Sequence, residues 1–368
     1  MQSLYNQNIL LISPEPWTHI HVSKHHYAIE LASRGNQVCF LNPPSDQLNC
    51  EVSEHDNLSI VDYKGFVKGL SKFPKFMRNK ITLRTFRKME KLCDLSFDII
   101  WSFDNSVFYD LDALPKSVFK ISHIVDLNMD FQLAQAAQSA DICFCTTDIL
   151  KTKLLRYNEK TYKINHGLAI GHKEKPSKQR NESQLKAVYV GNLAMKYMDW
   201  HILLSTAQQH PNIDFMFFGP HAQNYDTKIN AMHDDKRRLF ELDNTFAPGT
   251  IDSDEIPSIL AQADFLLIAY QEAHHQDQAN PHKVMEYLAS GKPIVSTFTK
   301  EYDGLGLFEM SIKNKEFEHL FKQAVFRLKD LNANELAQQR KKFASNNTYD
   351  LQISRIEKII ADKTSVKQ

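Results

Sequence analysis

Apolar and polar positions along the chain fall into short alternating blocks. "NILLIS" (8–13) is a short apolar strand, "SKHHYAIELASRG" (23–35) has helical spacing with Ser23 as N-cap and Gly35 just past its end, and "QVCFLN" (37–42) is the next strand. "KAVYVG" (186–191) starts the same pattern again. It is followed by a helix near 199–209, strand "DFMFFG" (214–219), helix "SDEIPSILAQA" (253–263) and strand "DFLLIAY" (264–270). Strands alternating with helices in both halves predict an α/β protein of two Rossmann-like, doubly wound parallel-sheet domains. Between them, the polar stretch 171–186 carries a proline and reads as a linker.

The stretch "NPHKVMEYLASGKPIVS" (280–296) lies at the carboxyl end of strand 264–270, ahead of the strand "PIVST" (293–297). Asn280 suits the N-cap, Pro281 the first helical position and Gly291 the residue beyond the last turn, which predicts a short helix over about 282–290. Open α/β sheets bind ligands at the carboxyl ends of their strands, so an anion is expected there. Lys283 and Glu286, three apart, share a face, while Val284 and Leu288 turn inward. A cation with a carboxylate one turn deeper matches a phosphate joined to a hydroxylated sugar. A capped connector helix with a surface Lys–Glu pair would look similar.

Composition narrows the alternatives. A length of 368 residues suits two domains, and 44 basic residues cancel 44 acidic ones, so no global charge calls for a nucleic-acid partner. The five cysteines, at 39, 50, 93, 143 and 145, form no CxxC pair and fit reduced thiols, with Cys143 and Cys145 buried on one strand. The amino terminus lacks a signal-peptide pattern and no run approaches the roughly 18 apolar residues of a membrane span, which predicts a cytoplasmic protein. Neither GxGxxG, GxxxxGK[ST] nor GxSxG occurs. "DSD" (252–254) precedes a helix and reads as a cap, and His274, His275 and Asp277 are too closely adjacent for a zinc set, so no metal is expected.

One local charge feature stands out. Residues 64–90 carry nine lysines and arginines, with no acid between Asp62 and Glu90. Phe66, Leu70, Phe73, Met77 and Ile81 follow helical spacing, with Lys64, Lys68, Lys72 and Lys75 opposite and Pro74 splitting the segment into two short helices. Such a basic amphipathic segment suits an anionic membrane surface, with Phe66, Lys68, Lys72, Phe73, Lys75 and Arg78 facing it. Internal packing of the stripe, with solvated lysines, is the competing reading.

The stretch at 280 resembles the donor-binding element of GT-B glycosyltransferases, in the class related to the retaining family-four enzymes. The resemblance extends to "AVYVGNL" (187–193), "NTFAPGTIDSDEIPSILAQADFLLIAY" (244–270), "YKINHGL" (162–168) and "NNTYDLQISRIEKII" (346–360). It implies a GT-B fold, with an acceptor-binding domain over 1–170, a donor domain over 187–345 and a terminal helix over 346–368 packing back towards the first domain. It also implies a sugar moved from a UDP- or GDP-linked donor to a saccharide or lipid-linked acceptor in polysaccharide or cell-envelope biosynthesis, with retention favoured over inversion and no permanently bound cofactor. Glu286 would take the ribose hydroxyls, and Lys283, His282 and Asn280 would lie near the diphosphate. Gly191 and Asn192 would allow close backbone approach. Gln278 stands where the class has the first glutamate of its E-x7-E pattern, and a neutral amide there can still bind a sugar hydroxyl. Lys196 is the nearest basic residue after the first strand of the donor domain. The glycine pair common in the first amino-terminal loop is replaced by "SPEPWTHIHVSKHH", where Trp17, Lys24 and His25 would contact the acceptor.

At the end of strand 119–124, His123 and Asp126 are the catalytic candidates, facing the cleft that the resemblance implies between the domains. Asp126 could be the general base of an inverting reaction; in a retaining front-face reaction the departing phosphate takes the proton and these two position the sugars. His166 is read as structural. A nucleotide-sugar epimerase of the same fold and a non-catalytic nucleotide-sugar-binding partner subunit are the alternatives.

Overall fold

The computed structural model describes residues 4–126, 131–169, 184–220 and 231–364. They form two compact units, Met1–Gly167 with Tyr349–Gln368, and Leu168–Thr348. The linker expected at 171–186 lies outside the described residues as far as 183.

The first unit is built on strands β1 (Asn8–Ile12), β2 (Gln37–Leu41), β3 (Asn49–Val52), β4 (Leu58–Asp62), β5 (Ile99–Ser102), β6 (Phe119–Ile124), β7 (Ile142–Cys145) and β8 (Thr161–Lys163). Its chain also forms helices α1 (Ser23–Ser33), α2 (Lys75–Cys93), α3 (Leu133–Gln138) and α4 (Asp148–Leu154). The sheet order is β3-β4-β2-β1-β5-β6-β7-β8, parallel throughout except for β3, which pairs antiparallel with β4 at one edge. The order reverses between β1 and β5, which are direct neighbours. Strands such as β1 and β5 are apolar on both faces because both are buried, as a covered parallel sheet requires.

The second unit contains β9 (Leu185–Val190), β10 (Ile213–Phe218), β11 (Thr245–Gly249), β12 (Phe265–Ile268), β13 (Ile294–Thr297) and β14 (Glu309–Ser311). Its helices are α5 (Trp200–Gln209), α6 (Ala231–Phe240), α7 (Ile256–Gln262), α8 (Val284–Ser290), α9 (Phe317–Phe326), α10 (Leu328–Leu331) and α11 (Asn334–Ser345). The sheet is all parallel in the order β11-β10-β9-β12-β13-β14. Its switch point lies between β9 and β12. The last helix, α12 (Tyr349–Thr364), belongs to the first unit: Tyr349 stacks on His26 at 5.0 Å, Gln352 Nε2 donates to the His166 carbonyl at 3.1 Å, and Arg34 pairs with Asp350.

Three local expectations are corrected. Helix α1 starts at Ser23 with Val22 at the N-cap, because His25 Nδ1 reaches back to accept the Val22 N–H at 3.1 Å; Ser23 Oγ is drawn instead to His166 Nδ1 at 2.9 Å. Helix α8 starts at Val284, later than expected, because the Asn280 side chain does not cap it and accepts the Tyr302 hydroxyl at 2.8 Å. Its other end is as expected, with Gly291 left-handed at φ +74°. In the basic segment Pro74 does mark the break, but it separates a single 3₁₀ turn, Leu70–Lys72, from the 19-residue α2.

The expected stripe in that segment divides. Phe66 packs edge-on against Phe108 at 5.1 Å and joins the first unit's core, and α2 buries Thr82, Phe86 and Met89. Arg78 lies 3.8 Å from Asp110 and donates to the Ser71 carbonyl, and Lys75 Nζ is 2.9 Å from Asp112. Phe66 and Arg78 therefore do not face outward: an aromatic side chain gains more in the core, and the guanidinium gains the Ser71 carbonyl and the nearby Asp110 carboxylate charge. The apolar side chains that do project are Val67, Phe76 and Met77, Phe76 being 72% exposed. No helix among the described residues is long and apolar enough to cross a membrane.

Candidate functional site

In the second unit the switch point brings the ends of β9 and β12 side by side. The chain leaves β9 through Gly191, whose φ of +152° suits glycine and whose N–H donates to the Phe218 carbonyl at 2.9 Å. Gly219, leaving β10 at φ +140°, sits so close that a Cβ there would lie 1.9 Å from the Gly191 carbonyl oxygen. These two glycines let adjacent strand ends converge. Lys236 fastens the loop after β9, its Nζ donating to the Leu193 carbonyl at 2.8 Å while resting 5.1 Å from the Trp200 ring.

Helix α8 is pinned to this strand end by Tyr287, whose buried hydroxyl accepts the Val190 N–H at 2.8 Å. That anchor delivers Lys283 beneath Gly191: a Cβ on Gly191 would lie 2.4 Å from Lys283 Nζ. The ammonium rests 3.7 Å from the Tyr189 ring centroid and 5.8 Å from that of Tyr270. Its Nζ is buried and has no hydrogen-bond partner among the described residues. Burial lowers the Lys283 pKa to about 7, with Glu286 opposing that shift. An amine kept dry and unpaired beside a strand end is poised for an anionic oxygen.

Glu286 is half-buried one turn along α8, and His282 and Asn280 are half-buried on the segment leading into it. Gln278, also half-buried, donates its backbone N–H to the His274 carbonyl at 2.9 Å. Asn192 is exposed and closes its own turn, its Oδ1 accepting the Ala194 N–H at 2.8 Å. Lys196 is exposed, with Nζ 5.0 Å from the Tyr197 ring. Of the sequence-derived donor residues, the structure gathers Gly191, Lys283 and Glu286. Tyr189 and Tyr270, which complete the surroundings of Lys283, were not anticipated, because they read simply as strand residues.

In the first unit, the loop after β1 folds back through Trp17, whose N–H donates to Asn42 Oδ1 at 2.8 Å. The half-buried Trp17 ring lies 5.0 Å from Phe40, 4.9 Å from His21 and 5.6 Å from His25. Lys24 is 2% exposed and ion-paired with Glu15. Asp126 is open to solvent at the end of β6, yet the density of protein around it pushes its carboxyl upward; Lys24 counters that shift and Glu15 adds to it. The Lys24–Glu15 ion pair thus lies close enough to Asp126 to act on it. Glu15 was missed, although its place between two prolines in the loop after β1 marks a turn at a strand's carboxyl end.

Two histidines are corrected here. His123 is 1% exposed, packed among Trp101, Phe103, Tyr27 and Phe144, and accepts at Nδ1 from Trp101 Nε1 at 3.4 Å; burial lowers its pKa to about 3. His25 is fully buried, with Nδ1 occupied by Val22 and Nε2 3.0 Å from the Pro16 carbonyl, and burial lowers its pKa to about 4. Both rings are buried, and burial favours their neutral form. Among the described residues, no group of three or more His, Cys, Asp or Glu side chains is placed to hold a metal ion, and His274 Nδ1 lies 3.1 Å from Asp277 Oδ2.

No protein-family model matches the chain. It is similar to the putative teichuronic acid biosynthesis glycosyltransferase TuaH of Bacillus subtilis (strain 168), at 27% identity over 170 residues, which are 44% of this chain and 41% of that protein. The match therefore spans less than half of that curated relative. Among solved structures, the sucrose-phosphate synthase of Thermosynechococcus elongatus matches at a TM-score of 0.67 and 12% identity, covering 98% of this chain and 100% of that one. Anabaena HepE in complex with UDP and glucose matches at 0.64 and 15%, covering 98% and 99%. An Escherichia coli trehalose-6-phosphate structure bound with UDP-2-fluoro glucose matches at 0.66 and 12%, covering 96% and 98%. The fold is GT-B.

Proposed function

We propose that this chain is a glycosyltransferase that moves a sugar from a nucleotide-sugar donor to a saccharide or lipid-linked acceptor in polysaccharide or cell-envelope biosynthesis, with retention of configuration. The observation that carries the reading is the unpaired Lys283 ammonium under Gly191, with Glu286 one turn along the same helix. A diphosphate oxygen satisfies the amine, and a carboxylate about one turn away suits ribose hydroxyls, which are hydrogen-bond donors. The similarity to TuaH and the UDP-containing fold neighbours support it.

In the reaction, the bond from the anomeric carbon to the diphosphate oxygen breaks and a bond to the acceptor oxygen forms. The acceptor proton passes to the departing diphosphate, whose charge Lys283 stabilises. Asp126, beside the Lys24–Glu15 ion pair, orients the acceptor hydroxyls. Peripheral binding to anionic lipid is part of the proposal: Val67, Phe76 and Met77 project beside exposed Lys68, Lys72, Lys80 and Arg84.

The test is a thermal-shift screen of UDP-, GDP-, ADP- and CMP-sugars, with released nucleotide assayed alongside. A donor at about 100 times its dissociation constant adds roughly 2.7 kcal/mol of stability. One stabilising sugar nucleotide that is also turned over supports the proposal; a folded protein that none of them stabilises removes it.

A further inference from the structure

Lys283 has an aromatic seat that the donor reading alone does not require. Tyr189, fully buried on β9, presents its ring face to the ammonium at 3.7 Å, and Tyr270, at the end of β12, stands at 5.8 Å. The Tyr189 hydroxyl, which interacts with that of Tyr270, lies beside the same notch, within 3.1 Å of where a Gly191 Cβ would be. A ring face attracts a cation through its quadrupole and offers no lone pair, so it can hold an amine without saturating it. An ordinary ion-pair partner would hold the amine and also compete with a phosphate.

We propose that Tyr189 is a positioning residue for donor binding: its ring face is the seat of the Lys283 ammonium, which stays on that face and takes a diphosphate oxygen on its open side when the donor arrives. The inference rests on the donor reading proposed for this site. Among the described residues, the titratable groups around the amine are Tyr189 of β9, Tyr270 after β12, and Glu286 and Tyr287 of α8. Desolvation holds the three tyrosines protonated, and Glu286 favours the charged form of the amine. With the amine near half-protonation at neutral pH, an arriving diphosphate draws a proton onto it. Binding is then coupled to proton uptake and weakens as pH rises above about 7.

The experiment is calorimetric titration of the whole chain with UDP, and with GDP as second nucleotide, at pH 7 in phosphate and in Tris, whose ionisation enthalpies differ. Wild type should take up a fraction of a proton per nucleotide bound. Tyr189→Phe keeps the ring and should bind within about twofold of wild type, whereas Tyr189→Leu should bind about five- to tenfold more weakly, the size of a lost cation–π contact. Lys283→Arg, which stays charged, should abolish the uptake. The Phe variant and the wild-type proton count keep the test decisive even where the Leu variant fails to fold. Equal affinity and equal proton uptake in Tyr189→Leu and wild type would overturn the inference while leaving the donor site intact. Failure of both nucleotides to bind wild type would remove the donor reading itself, and this inference with it.

Discussion

A lysine with its ammonium packed against a tyrosine ring and no acceptor is costly to a folded protein. The Lys283 pKa is near 7 in the folded chain, against about 10.4 for an unfolded lysine. The unfolded state therefore binds more protons between those values, so this residue destabilises the fold below pH 7 and the penalty lifts as pH rises towards 10.4. Lys283→Met should accordingly stabilise the second unit at pH 6 by about 2–4 kcal/mol and by much less at pH 9.5. Urea unfolding at the two pH values checks this; an equal effect at both would show that the amine is not desolvated. Residue-scale chemistry was only half legible in the sequence. Lys283 and Glu286 lie near one another, as their three-residue spacing on one helix face predicts. His25 and His123 misled because a histidine at a strand or helix end looks the same in sequence whether its ring points to solvent or, as here, into an aromatic core.

At the scale of elements, strand and helix identity followed closely from the apolar blocks, since parallel strands buried on both faces leave uninterrupted runs. Boundaries were less legible, because competing side chains decide them: Tyr302 takes Asn280 away from capping α8, and His25 closes the turn that Ser23 was expected to cap. The basic segment shows the same limit. Helical spacing marked Phe66 as part of an outward stripe, but Phe108 and Tyr63 offered it a core position that spacing cannot reveal. The outer face of α2 is instead basic along Lys80, Arg84, Arg87 and Lys91, with Phe76 exposed at its start. Each basic residue near an anionic surface contributes about 1 kcal/mol, so Lys80→Glu/Arg84→Glu should cut binding to phosphatidylglycerol vesicles at least tenfold. Phe76→Asp should add to that loss. Co-sedimentation at low and physiological salt measures both, and binding that ignores all three changes would place the lipid contact elsewhere or nowhere.

At the scale of the whole molecule, the two sheets and their switch points organise the chemistry. In each unit the residues of interest lie beyond the carboxyl ends of strands, at β1 and β6 in the first and at β9 and β12 in the second, where an open parallel sheet leaves a crevice. This architecture was legible because the strand–helix alternation begins twice, at 8 and at 186. What the sequence withheld was the cooperation of distant residues, such as Glu15 with Lys24 and Asp126, or Tyr189 with Lys283; such pairs depend on loop paths and strand register that one-dimensional spacing does not encode.

The central claim is that the Gly191–Lys283–Glu286 group receives a nucleotide-sugar donor. The most direct measurement is calorimetric binding of the stabilising sugar nucleotide to wild type and to Glu286→Ala. Loss of two good hydrogen bonds to ribose should weaken binding on the order of tenfold to a hundredfold, with the fold intact by melting temperature. Unchanged affinity in a folded Glu286→Ala protein would contradict the account and return the stretch at 280 to a connector between two strands.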